Sequence, residues 1–278
     1  MKTIITHGGP AHRDDLLSVA IALATEEGIE CVCRRELTTA ELGDPEILVL
    51  DVGGEHSPAM NNFDHHQLGR DDAPACALSL YLGARGLLKS FSRLEWFAPT
   101  VEIDARGPFA WAKTAKMGSF PFELLSPVEA FLLGEFSKES ELRPGHALWG
   151  LLESLGCSLV RQARNLAHQI EHLRATTFST ECRGVGVLVH KNVLPAGPAA
   201  TLLRKEHYPE AAIQISRDDR GPGWALFRYD DHPAVDFSVL GGQPGVVFAH
   251  PVGFMCKTEQ MPLGSALALC ARAVKPAD

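Results

Sequence analysis

The 278-residue chain carries 26 Lys and Arg against 34 Asp and Glu, a formal net charge of −8, and a length that suits about two domains. Hydrophobic residues at 45% and charged residues at 22% are the balance of a folded globular chain and exclude intrinsic disorder. The acidic surplus excludes tight wrapping of long duplex nucleic acid, which needs Lys and Arg to displace counterions, but not a small phosphate held through metals.

In chain order, residues 2–6 (KTIIT) read as a strand and residues 14–27 as an amphipathic helix, with Leu16, Leu17, Val19, Ala20, Leu23 and Ala24 on its apolar side. Its first turn is acidic, as the helix dipole favours. Residues 30–34 form a second candidate strand. Residues 46–51 (EILVLD) are the clearest strand, an apolar run ending in a carboxylate. Residues 62–65 read as a short strand, and residues 74–88 and 93–103 as helices. Strand and helix alternate, which implies a parallel sheet with helices on both faces.

A long helix without proline is expected over residues 145–178. Beyond it, residues 183–190, 211–216, 223–229 and 245–250 read as strands and residues 263–274 as a closing helix, the texture of a smaller mixed α/β domain. We place the boundary near residue 180, giving domains 1–180 and 181–278. Residues 1–180 hold 16 basic and 24 acidic residues, whereas residues 181–278 hold 10 of each. The acidity therefore belongs wholly to the first domain.

No signal peptide or membrane span is expected at the start or in the longest uncharged run, which is broken by glycine and proline. The seven cysteines are odd in number, scattered and never spaced as CxxC. Reduced thiols in a cytoplasmic protein are the simplest reading, and a thiolate zinc site is not expected.

Four segments carry candidate chemistry. Residues 6–15 (THGGPAHRDD) lie between a strand end and a helix start, where a tight glycine-proline turn can fold His7, His12 and Asp14 toward one point. In a parallel sheet that edge is where ligands bind. Asp51-Val52-Gly53-Gly54 follows a second strand at the same edge. Phe63-Asp64-His65-His66-Gln67 holds two adjacent histidines, which on an extended segment point to opposite faces, so that one meets a metal and the other a substrate. Asp104, in Ile103-Asp104-Ala105-Arg106-Gly107, follows a helix and precedes a turn. Separately, turn carboxylates and surface histidines explain each segment as well. Together they form an oxygen and nitrogen ligand set suited to Mn²⁺, Mg²⁺ or a catalytic Zn²⁺.

His7, His12, Asp14, Asp51, Asp64-His65-His66 and Asp104 together resemble the ordered motifs of the DHH phosphoesterase superfamily. The His7-x₄-His12-x-Asp14 spacing, Asp51-Val52-Gly53-Gly54 and Phe63-Asp64-His65-His66-Gln67 are similar to its melanocyte-proliferating-gene (Myg-type) branch. Residues 242–250 followed by Gly253-Phe254 resemble that branch's closing segment.

The resemblance implies an N-terminal DHH-type metal-binding catalytic domain and a smaller substrate-binding domain. It implies two divalent ions, Mn²⁺ foremost, one held by His7, His12 and Asp51 and the other by Asp14, Asp51, His65 and Asp104. His66 would contact the scissile phosphate, and Asp64 would orient a histidine. Gly241, Gly242, His250 and Lys257 are the substrate-binding candidates of the second domain. The chain departs from the branch at Gly8, Ala11, Asp15 and Met255-Cys256.

The expected activity is metal-dependent phosphodiester hydrolysis of short oligonucleotides or dinucleotides, with a 3′–5′ exonuclease as one form. A pyrophosphatase or small phosphomonoesterase using the same site, and a metal-binding regulatory protein without catalysis, stay open. So does the oligomeric state, a homodimer included.

Overall fold

The computed structural model describes residues 2–69, 72–116, 127–194 and 198–275. The chain divides into two compact units, Met1–Arg164 and Asn165–Asp278, so the division falls inside the long helix rather than beyond it.

The first unit contains β1 (Lys2–Thr6), α1 (Arg13–Thr25), β2 (Ile29–Arg34), α2 (Thr39–Leu42), β3 (Ile47–Leu50), β4 (His56–Ser57) and β5 (Asn62–Phe63). It continues with α3 (Ala77–Ala84), α4 (Leu88–Phe91), α5 (Phe97–Arg106), α6 (Pro108–Thr114), α7 (Pro127–Lys138) and β6 (Glu141–Leu142). The sheet order is β4-β5-β3-β1-β2-β6. The strands β5, β3, β1 and β2 run parallel, while β4 and β6 add antiparallel edges.

The pattern follows from the residues. Leu48, Val49 and Leu50 of β3 are all buried, as a central parallel strand covered on both faces requires. One face packs against α1, α3 and α5 through Leu16, Val19, Leu78, Tyr81 and Phe97. The other carries Ile5, Val49 and Val52, with Leu37 and Ile47 against them.

Helix α8 (Ala147–Thr176) begins in the first unit and crosses the division. Its buried residues Leu148, Leu152, Leu159, Val160 and Ala163 recur at helical spacing. Gly156 lies on that stripe, and a Cβ there would meet the Ala20 carbonyl oxygen at 1.8 Å. Only glycine lets the two helix backbones approach this closely.

The second unit holds β7 (Thr177–Cys182), β8 (Val185–Val193), α9 (Ala199–His207), β9 (Ala211–Arg217), β10 (Trp224–Arg228), β11 (Val246–Ala249), β12 (Met255–Thr258) and α10 (Leu263–Ala273). Its sheet order is β11-β12-β10-β9-β8-β7. All neighbours are antiparallel except β8 and β9, which are parallel and joined through α9. Val187, Ile213, Leu226 and Cys256 pack with Leu269 and Cys270 of α10.

Several elements differ from the sequence reading. Residues 177 and 178, expected to end the long helix, instead begin β7, where they pair with His190 and Val189. β-branched and aromatic residues favour that pairing once a partner strand is present. Met255-Cys256, a departure from a glycine-rich pattern, lies in β12 and pairs with Phe227 and Leu226. Helix α5 extends to Arg106, so Asp104 sits within its last turn rather than after it.

Candidate metal centre

The strand order makes the site. Strand β1 has β2 on one side and β3 on the other, so successive connections leave β1 in opposite directions. The crevice between β1 and β3 at their carboxyl ends is where open α/β sheets bind ligands. The loop after β1 carries His7 and leads to His12 at the cap position of α1. The residue after β3 is Asp51.

Asp51 is 1% exposed and adopts φ of +58°, a left-handed conformation that Asp tolerates better than most residues and that clusters at functional sites. Its N–H donates to the Phe63 carbonyl at 3.0 Å, tying it to β5. Its oxygens face two histidines: His7 Nε2 lies 3.4 Å from Oδ2 and His65 Nε2 lies 3.2 Å from Oδ1. His65 Nε2 is also 2.9 Å from Asp104 Oδ2. The His7 and His12 rings are 5.2 Å apart.

Ligand-capable atoms of His7, His12 and Asp51 lie within 4.8 Å of one another, as do those of His12, Asp14 and Asp104, and those of Asp51, Asp64, His65 and His66. The six sequence-derived ligand candidates thus converge in the first unit.

The donors fit a divalent cation. Both oxygens of Asp14 are buried without a hydrogen-bond partner, and the buried oxygens of Asp51 and Asp104 Oδ2 face imidazole nitrogens alone. Buried carboxylates left in that state are costly unless a cation compensates them. Burial, reinforced by Asp51, Asp104 and Asp15, pushes the Asp14 pKa well above the usual carboxylate range. The nearby Asp15 carboxylate raises His7 to about 9, against the opposing effect of burial. Burial lowers His65, but Asp104 and Asp51 outweigh it and raise it to about 10. The carboxylates draw positive charge to their centre, here as imidazolium protons. An oxygen and nitrogen donor set with no thiolate suits Mn²⁺, Mg²⁺ or Zn²⁺.

Asp64 has a different place. Its Oδ1 accepts the N–H groups of His65 at 2.7 Å and His66 at 3.2 Å and lies 2.7 Å from His66 Nδ1, while Oδ2 accepts Gly54 N–H at 2.6 Å. Burial raises its pKa, but the His66 and Gly54 hydrogen bonds outweigh that and hold it below the ordinary value. Asp64 therefore staples the turn after β5 to the turn after β3 and orients His66.

This geometry corrects the expectation that His65 and His66 point to opposite faces. The segment is a turn, closed by Leu68 N–H to the His65 carbonyl at 2.9 Å, and the two rings lie 4.5 Å apart. His65 is directed inward, whereas the His66 side chain is 62% exposed. A cavity of about 300 Å³ opens beside them, lined by His12, His65, His66, Asp72, Asp104 and Arg106 among others.

Three residues at the candidate site were missed by sequence reasoning. Asp15 is fully buried, accepts His12 N–H at 2.9 Å and places Oδ2 3.2 Å from His7 Nε2. Arg34, at the end of β2, reaches Asp15 Oδ2 at 3.3 Å and donates to the carbonyls of Gly9 at 3.1 Å and Phe136 at 2.8 Å, its guanidinium 4.4 Å from the Phe136 ring centre. Together they brace the loop that holds His7 and His12. The paired acids Asp14-Asp15 were the available signal for Asp15; nothing local marks Arg34. Arg106, lining the cavity, is the third addition.

The four substrate-binding candidates lie in the second unit. Gly241 and Gly242 are exposed after a short 3₁₀ turn, Phe237–Leu240. His250 packs on Phe254, rings 4.1 Å apart. Lys257 Nζ is 2.5 Å from Asp218 and 3.4 Å from Asp219, on the wall of a cavity of about 830 Å³. Its charge is already paired.

The parallel sheet, its switch-point crevice and the converging histidines and aspartates together form a candidate metal centre. Residues 3–88, about a third of the chain, match the Myg-type exonuclease family model described as "Uncharacterised protein family (UPF0160)". The C-terminal resemblance, over residues 200–275, lies outside the matched segment. No curated protein matches significantly.

Solved structures that overlap the chain include a pGpG-specific phosphodiesterase from Vibrio cholerae, at 13% identity and TM-score 0.31 over 98% of this chain and 99% of that one. A DHH-domain structure of a member of the s1p family of ribosomal proteins overlaps at 11% identity and TM-score 0.34, over 99% and 87%. RecJ with Mn²⁺ from Thermus thermophilus overlaps at 14% identity and TM-score 0.30, over 99% of this chain and 53% of that one, so the chain spans about half of RecJ.

Proposed function

We propose that the protein is a dinuclear-metal phosphodiesterase acting on short oligonucleotides or dinucleotides. The observation that carries this reading is the convergence of the buried Asp14 and Asp51 oxygens with His7, His12, His65 and Asp104 at the β1–β3 crevice. His7, His12 and Asp51 would hold one ion and Asp14, Asp51, His65 and Asp104 the other, with Asp51 shared. Two divalent ions, Mn²⁺ foremost, would supply charge neutralisation and a water of lowered pKa.

The remaining work is done by side chains. Asp64 accepts from His66 Nδ1, which leaves Nε2 on the exposed side of the ring, toward the cavity, to donate to a phosphoryl oxygen as charge develops. Arg106 on the cavity wall adds a fixed positive charge for the same group. It is the one Lys or Arg of that lining among the described residues and also lies 3.4 Å from Glu102, which suits a singly charged diester better than pyrophosphate. The second unit would supply further substrate contacts, with Gly241, Gly242, His250 and Lys257 as candidates. Among the described residues no helix is long and apolar enough to cross a membrane.

Metal-stripped protein should be inactive and recover with Mn²⁺ on a panel of dinucleotides, short RNA and DNA oligomers, pyrophosphate and a nitrophenyl phosphate. Diester turnover is expected to lead. Asp51→Asn should lower it by roughly 10³-fold or more, since it weakens both ligand sets. Metal binding without turnover on any substrate would replace this reading with a regulatory one. A lead for pyrophosphate would move the site to that substrate.

A further inference from the structure

We propose that Cys31, Cys33 and Glu141 form a second cation site, specific for thiophilic divalent ions such as Zn²⁺ or Cd²⁺, at the β2–β6 edge of the first sheet.

The site is made by strand register. Residues two apart on a strand share a face, so Cys31 and Cys33 project together, with Sγ atoms 3.3 Å apart. Antiparallel pairing places Glu141 directly across from Cys33. Ligand atoms of all three lie within 4.8 Å of one another. Tetrahedral zinc with sulfur ligands at about 2.3 Å separates two sulfurs by about 3.8 Å, so the pair needs to open by only about half an ångström.

Cys31 is 3% exposed, Cys33 is partly exposed and Glu141 is exposed, which leaves one open side for entry and for a water as fourth ligand. Arg143 donates to Glu141 Oε1 at 2.6 Å, and the second carboxylate oxygen remains for the ion.

Chelation is favoured over a disulfide here. Extended residues two apart hold their Cα atoms about 6.6 Å apart, at the upper limit for an unstrained bridge. Burial, with the Cys33 thiol beside it, pushes the Cys31 thiol up to about 12. Binding exchanges the two S–H protons for one metal ion and involves no change of oxidation state. The site is independent of the phosphodiesterase reading, because it shares no ligand with the histidine-aspartate centre.

Cadmium titration of the full, reduced chain tests it, because thiolate-to-cadmium charge transfer absorbs in the ultraviolet and the histidine-aspartate centre gives no such band. The band should saturate at one equivalent with release of two protons. It should be lost in Cys33→Ser and Cys31→Ser, and require roughly tenfold more cadmium in Glu141→Gln. If buried Cys31→Ser fails to fold, the more accessible Cys33→Ser and Glu141→Gln variants still decide. Absence of a saturable band, or a band unchanged in Cys33→Ser, overturns the proposal.

Discussion

Arg34 shows how much of the metal centre depends on a residue that can touch no ion. Its guanidinium is buried and joins three acceptors, the Gly9 carbonyl, the Phe136 carbonyl and Asp15, and Asp15 in turn faces His7 and caps His12. Arg34→Met removes one of the two cationic partners of buried Asp15, leaving His7 as the other, and should destabilise the fold by about 1–3 kcal/mol. Calorimetric Mn²⁺ affinity should fall about 10–100-fold. Arg34→Lys keeps the charge but not the fork and should recover only part of that affinity. Unchanged binding in Arg34→Met would remove Arg34 from the brace. Asp15 stands where the branch usually has Glu; the shorter acid reaches both His7 and the His12 N–H, so the departure does not break the site.

At the scale of elements, the contact between α1 and α8 sets where the first turn of α1, with Asp14 and Asp15, meets the sheet. Gly156 makes the approach possible, since any Cβ there overlaps the Ala20 carbonyl. Gly156→Ala should destabilise by about 1–3 kcal/mol through overpacking. Gly150, in the same helix with open space around its Cβ position, is the control: Gly150→Ala should stabilise by roughly 0.5–1 kcal/mol. Thermal unfolding of the pair gives the comparison, and equal shifts would contradict the close approach.

The elements also show what was legible beforehand. Strands β1 and β3 and helix α8 were readable because burial gives them strong periodicity. Strands β7 and β12 were not, because Thr177–Cys182 and Met255–Thr258 gain their order from partners distant in sequence. Helix α9 likewise follows from the parallel link between β8 and β9.

For the whole molecule, stability and pH are linked through His190. Burial lowers its pKa to about 4, from an ordinary 6.5, while Thr177 Oγ1 lies 2.7 Å from Nδ1 and Nε2 has no partner. The unfolded chain binds a proton between those pH values that the folded chain refuses. Stability is therefore complete above about pH 6.5 and declines as pH falls toward 4, by up to about 3 kcal/mol. Hydrogen exchange of β8 amides, corrected for intrinsic rates, should show this decline. His190→Asn, which retains a partner for Thr177, should flatten it. An equal slope in both proteins would place the pH dependence elsewhere.

Net charge also gains meaning at this scale. The surplus of acids lies in residues 1–180, and part of it is the proposed ligand set of a cation site. Bound divalent ions would offset it locally, so an acidic total is compatible with a short phosphodiester substrate.

By itself the sequence determined the α/β class, the placement of His7 and Asp51 after strand ends and of His12 and Asp14 at the start of a helix, and the chemical kind of the candidate site. Those features are local, written in hydrophobic periodicity and in the residue types that end strands. The tertiary structure decided the rest. It put β3 beside β1 so that Asp51 meets His7, folded the Asp64–Leu68 turn so that His65 and His66 share a side, and brought Arg34 from β2 under the first loop. It also set Glu141 across from Cys33. These are pairings between segments tens of residues apart, fixed by packing and strand register, and no local pattern encodes them.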